Sequence, residues 1–176
     1  MSTTPGSPYR GRLIVRLNLV GTVLFGLSSA WAAIVFDGVA KAQGVVVDLF
    51  LFAIGVVAFL WGYFAAVQRS RVEQMAVAEL YLLMGPAIPS RVKVLMNSLL
   101  VLQIALALAT ALTRLTTPAD DGGSTNGSTL AFGVLVPLLG LGLNGLWAAS
   151  HGMFPPRRRK DVVTGDERQV GDPEIG

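Results

Sequence analysis

Four long apolar runs decide what this chain can fold into. They lie at about Leu13–Phe36, Gly44–Ala66, Val94–Thr113 and Leu130–Ser150, and each reaches the ~20 residues with which an α-helix crosses the ~30 Å hydrocarbon core of a bilayer. Lipid offers no water to satisfy backbone N–H and C=O groups, so runs of this length are driven into helices that bond internally. The sequence therefore predicts an all-α membrane protein with four transmembrane helices. Charged residues make up only 14% of the chain, against roughly 25% in an average soluble domain. The deficit falls inside the four runs, which marks a membrane composition.

What the chain lacks narrows the chemistry. It has no cysteine and a single histidine, which removes disulfides, thiolate metal sites, Cys nucleophiles, bis-His haem and multi-His zinc within one chain. The pI of 9.7 resembles a nucleic-acid signal until the charges are placed. They flank the apolar runs, so acidic lipid headgroups are the expected partner and nucleic acid is not.

The charges also orient the spans. Of the 14 Lys and Arg, all but Lys41 and Arg114 fall in three segments: the N-terminal flank with Arg10, Arg12 and Arg16, the loop between spans two and three, and the tail. Those segments share one side of the membrane if every span crosses, which predicts both termini in the cytoplasm and spans in the plasma membrane. Trp31, Trp61, Tyr63 and Trp147 fall near span ends, where aromatic belts form. A second reading of span one stays open: Arg10 and Arg12 with Ala30-Trp31-Ala32 have the form of a cleaved signal peptide. Asn18 within the run and its continuation through Phe36 favour a span.

Residues 1–12 read as a disordered leader and 151–176 as a basic, then disordered, tail. Asp37–Gln43 reads as a short connection between the first two spans. The segment Val67–Lys93 carries Val72, Met75, Ala76, Leu80 and Leu83 at helical spacing, with Arg69, Arg71, Glu73 and Gln74 on the other side. That pattern predicts an amphipathic cytoplasmic segment, either in the interface plane or extending span two, broken by Gly85, Pro86 and Pro89. Ser90 is the expected N-cap of span three. Pro137 is expected to kink span four. The outer segment Leu115–Thr129, rich in Gly, Ser and Thr, reads as a flexible loop without calcium-loop spacing.

Polar residues within spans are the candidates for function, because lipid makes them costly without partners. Asn18, Asn97 and Asn144 lie at similar distances from the cytoplasmic ends of their helices and form a candidate intramembrane polar layer, which Gln103 extends. Its two readings are a hydrogen-bonded packing cluster and the floor of a ligand cavity. Asp48 is the one carboxylate within a span: either an interfacial group reaching water or Arg114, or a coupling site for protons or cations. Arg157, Arg158, Arg159 and Lys160 form a juxtamembrane cluster suited to acidic lipid. Gly140, Gly142 and Gly145 match the dinucleotide-binding pattern in letters only, since no strand precedes them. Like Gly55 with Gly62, Gly26 with Ala30 and Ala105 with Ala109, they read as small faces for close helix approach.

Ala131–Trp147 followed by His151-Gly152-Met153-Phe154-Pro155-Pro156-Arg157, together with Glu79-Leu80-Tyr81 leading to Pro89 and Arg91, resemble small four-helix integral membrane proteins of actinobacteria whose function is uncharacterised. The likeness covers about Leu13–Arg159 and implies no catalytic residues and no cofactor. The expected role is a non-enzymatic accessory or scaffold subunit, as a homo-oligomer or in a larger membrane complex. The alternative is a small transporter using Asp48 and the intramembrane amides.

Overall fold

The computed structural model describes residues 8–35, 37–113, 116–118, 124–126 and 129–156. Its long helices are α1 (Pro8–Val35), α2 (Gly38–Arg69), α4 (Ser90–Thr113) and α5 (Pro137–His151), with a five-residue α3 (Val77–Tyr81) between the second and third. Four helical segments are long and apolar enough to cross a membrane, as a multi-pass membrane protein requires. A two-stranded antiparallel ribbon, β1 (Thr116–Pro118) and β2 (Ser124–Asn126), pairs Thr117 with Thr125 where the sequence reading expected only flexible loop. The leader residues 1–7, Arg114, the cluster Arg157–Lys160 and the tail beyond it lie outside the described residues.

Local chemistry moves several element boundaries from where apolarity alone puts them. Asp37 caps α2, its side chain accepting from the Ala40 N–H at 2.6 Å, so the expected connection Asp37–Gln43 is almost entirely helix. At the start of α4, the Pro89 carbonyl accepts from the Val92 and Lys93 N–H groups, and the helix already includes Ser90; the capping position falls one residue before the expected Ser90. The fourth span is not one kinked α-helix. A 3₁₀ helix over Thr129–Leu135 precedes α5, and Pro137 stands in the first turn of α5, where its missing N–H costs nothing. The 15 residues of α5 rise about 22 Å, short of a bilayer core, and the seven 3₁₀ residues add about 14 Å. Together they suffice to cross.

The segment between α2 and α4 departs furthest from its periodicity. After Arg69 the chain turns, forms a bridge from Glu73 to Pro156, and runs extended to α3. Leu80, Tyr81, Leu83, Ala87 and Ile88 are buried in the bundle end, whereas Val72, on the predicted apolar face, is exposed. The expected amphipathic helix is therefore a folded plug. Its first half gives up helix because the Gln74 N–H bonds the Pro155 carbonyl and Arg69 is claimed by α5: its guanidinium donates to the carbonyls of Ala149 (2.7 Å) and Gly152 (3.0 Å) and pairs with Glu73. A cation on the last carbonyls of a helix satisfies groups that have no intrahelical donor.

The fourth span is the inner one. Buried residues form 56% of it, against 33%, 28% and 28% of the first, second and third. Helices α1, α2 and α4 and the plug helix α3 all pack on α5, the α2–α5 contact being the most extensive. Glycines set that contact. A Cβ on Gly55 would lie 2.6 Å from the Leu139 nitrogen, one on Gly62 2.8 Å from the Leu146 nitrogen, and one on Gly142 would strike the Gly55 carbonyl. Backbone thus meets backbone along the seam, the close approach that small residues permit in lipid. Gly145 leaves the space into which the Tyr81 ring inserts. There Tyr81 stacks on Phe59 at 4.4 Å, and its hydroxyl donates to the Phe59 carbonyl at 3.2 Å.

Candidate functional site

The four amides singled out from the sequence do not form one layer; they fall into two hydrogen-bonded groups. The deeper group centres on Gln103 of α4. Its amide nitrogen Nε2 donates to Asn18 Oδ1 at 3.0 Å and to Thr22 Oγ1 at 2.7 Å, both on α1. Its Oε1 accepts from the Gly140 N–H at 3.2 Å. That N–H lies in the first turn of α5. Gln103 thus ties α1, α4 and α5 together, and Gly140 is glycine where a Cβ would come within 2.6 Å of Gln103 Oε1. Thr22 returns its own hydroxyl to the Asn18 carbonyl at 2.8 Å.

The second group joins Asn97 of α4 to Asn144 of α5. Asn144 Nδ2 donates to Asn97 Oδ1 (3.1 Å) and to the Tyr81 carbonyl (3.2 Å), while Asn97 Nδ2 donates to the Leu82 carbonyl (2.8 Å). These two asparagines clamp the end of the plug. The clamp holds a strained turn: Leu83 is fully buried with φ 52°, a left-handed conformation that costs a non-glycine residue about 1 kcal/mol or more. Gly85 follows with φ 89°, which glycine adopts freely.

Both groups leave one polar atom open. Asn18 Nδ2 and Asn144 Oδ1 are buried without a hydrogen-bond partner among the described residues. One is a donor and the other an acceptor, on neighbouring helices.

Asp48 lies apart from the amides. It points inward from α2, 4% exposed, so it does not reach water as an interfacial carboxylate would. Arg114, its expected ion-pair partner, lies outside the described residues. A Cβ on Gly133 would sit 3.6 Å from Asp48 Oδ2 and 3.3 Å from the Phe25 ring, and Asp48 Oδ1 has no hydrogen-bond partner among the described residues. Among those residues, no three His, Cys, Asp or Glu side chains come together as a metal site.

Around these groups the interior is filled. Phe25, Met96, Val136 and Leu139 are fully buried with Asn18, Gln103 and Asn144. Grooves open instead on the outside, one over Leu17, Phe50 and Trp61, another along α4 beside Asn97 and Val101. Trp31, Trp61 and Tyr63 are exposed in keeping with interfacial belts, but Trp147 is buried, stacked on His151 at 5.5 Å.

Arg69 is the structurally important residue that sequence reading assigned only to charge bias and to the polar side of the Val67–Lys93 segment. The one local signal for its role was Glu73, four residues on, at helical pairing distance. No protein-family model, curated protein or solved structure matches the chain.

Proposed function

We propose that this protein is an accessory or scaffold subunit of a plasma-membrane assembly, a multi-pass protein with no enzymatic activity of its own. The observation that carries the reading is the filled interior around α5. Its glycine seam with α2, its amide bonds to α4 and the Gln103 link from α4 to α1 use most of the buried amide groups for helix packing and not for lining a conduit. The excess of Lys and Arg on one side of the spans places both termini in the cytoplasm. The charges of Arg157, Arg158, Arg159 and Lys160 suit acidic headgroups, an attraction of about 1 kcal/mol per cation. The partner is a second copy of the chain or a larger membrane complex. Capture from native membranes in mild detergent, with cross-linking before solubilisation, tests this. The expected product is a defined assembly larger than the monomer; recovery of the monomer alone under both conditions contradicts the proposal.

One observation favours a second reading, a small transporter. Asp48 is buried with one oxygen unpartnered among the described residues, and isolated buried carboxylates are costly enough to be kept for proton or cation coupling. On that reading Asp48→Asn abolishes flux in proteoliposomes. Flux of protons and monovalent cations unchanged by the substitution removes it.

A further inference from the structure

At the bundle end where α1 and α4 begin and α5 finishes, a groove of about 390 Å³ runs between the three helices. Val15, Val92 and Trp147 make its walls apolar, Arg12 and Arg16 stand at its edge, and His151 lines it. The two arginines are one turn apart on α1, so they share a face, and both are exposed. No acidic residue lines the groove among the described residues. The imidazole has both ring nitrogens shut off from solvent and without a hydrogen-bond partner among the described residues. Its place is made by Gly11, where a Cβ would lie 3.3 Å from both His151 Cδ2 and Trp147 Nε1.

We propose that this groove binds one anionic phospholipid, its phosphate held by Arg12 and Arg16 and an acyl chain lying along Val15, Val92 and Trp147. Charge complementarity selects an anion, because Arg12 and Arg16 stand one turn apart beside the groove with no carboxylate among its described lining residues. The setting selects a lipid over a soluble phosphate. Leu13 and Leu17, interleaved with the arginines on α1, are 56% and 50% exposed, so the cations stand beside a lipid-facing surface. The proposal uses none of the Arg157–Lys160 residues and is independent of the subunit proposal.

Trp147 makes the site readable. The chain has three tryptophans, and replacing the exposed Trp31 and Trp61 with Phe leaves Trp147 as the sole emitter. The full-length protein is reconstituted into vesicles containing brominated phosphatidylglycerol or brominated phosphatidylcholine at equal mole fraction, and quenching is compared. The expected result is preferential quenching by the anionic lipid, with an apparent affinity ratio on the order of ten- to thirtyfold for two cations. Arg12→Gln with Arg16→Gln should erase the preference, and Arg12→Lys with Arg16→Lys should retain most of it. Gln at 157–160 should leave it in place, as should excess inorganic phosphate. Equal quenching by the two lipids overturns the proposal. So does a preference that follows the 157–160 cluster and not Arg12 and Arg16, or one that inorganic phosphate displaces. An unchanged Trp147 emission maximum in the arginine variants certifies the fold.

Discussion

The α2–α5 and α1–α4 seams hold helices together by opposite means. Between α2 and α5, glycines bring backbone against backbone, with Gly55, Gly62 and Gly142 each lacking room for a single carbon. Between α1 and α4, ordinary side chains keep the helices further apart, and Gln103 reaches across to Asn18 and Thr22. Lipid is as apolar as leucine, so burial alone does not drive helices together there. Close dispersion contact and interhelical hydrogen bonds are the available substitutes. The first tolerates no added atom. The second consists of discrete bonds of about 0.6 kcal/mol each on average.

The largest predicted effect breaks the glycine seam. Gly142→Leu puts a branched side chain into the α2 backbone and should destabilise the fold by about 3 kcal/mol or more in detergent unfolding titrations. Gly26→Ala supplies the contrast. A Cβ there meets only Leu106 Cδ1 at 3.5 Å, so the gain in helix propensity should leave stability unchanged or raise it by about 0.5 kcal/mol. If the two substitutions had equal effects, the seam would not be close-packed. Next is Arg69→Ala, which uncovers the last carbonyls of α5 and strands Glu73. Charge-assisted bonds of this kind are worth about 2 kcal/mol, and protease cutting within residues 70–76 should rise with the loss.

Gln103→Leu sharpens the polar side of the comparison. It removes the bonds to Asn18, Thr22 and Gly140 at once, for an expected loss of about 1–2 kcal/mol. A double-mutant cycle with Asn18→Ala should show coupling, whereas a cycle with Asn97→Ala should be additive, since no hydrogen bond joins the two amide groups among the described residues. The smallest effect belongs to Tyr81. Burial, with a lesser contribution from Tyr63, raises its phenol above the ordinary 10.0. The unfolded phenol therefore ionises first, so the Tyr81 contribution is complete below pH 10 and declines as pH rises beyond it. Tyr81→Phe should cost about 1 kcal/mol at neutral pH and flatten that alkaline decline in unfolding measured across the range.

Apolar run length and the small faces of Gly55, Gly62, Gly142 and Gly145 were legible in the sequence, because period and residue size act locally. The partners of those faces were not, since nothing in Gly55 itself points to Leu139. The amides were recognisable as buried polar groups, but depth along a helix does not specify azimuth. That is why one expected layer resolves into a Gln103 knot and an Asn97–Asn144 clamp. Helical spacing failed over Val67–Lys93, where tertiary bonds from Arg69 and Gln74 to the end of α5 outcompete a short helix with little intrinsic stability. Pro137 was visible, yet its effect depended on the 3₁₀ turn before it.

The central claim is that α5 is the inner helix, enclosed by the other three. The chain has no native cysteine, so single nitroxide labels can be placed at the non-glycine positions Leu138, Leu141, Leu143, Leu146 and Ala148 of α5 and at residues 101–108 of α4. Oxygen accessibility in bilayers then reports lipid contact directly. The account predicts low accessibility at Leu143 and Ala148 and no more than intermediate values at Leu138, Leu141 and Leu146, and on α4 a full helical alternation with minima at Gln103 and Ala107, the buried positions of that stretch. High accessibility along one face of α5, equal in amplitude to that of α4, would contradict it.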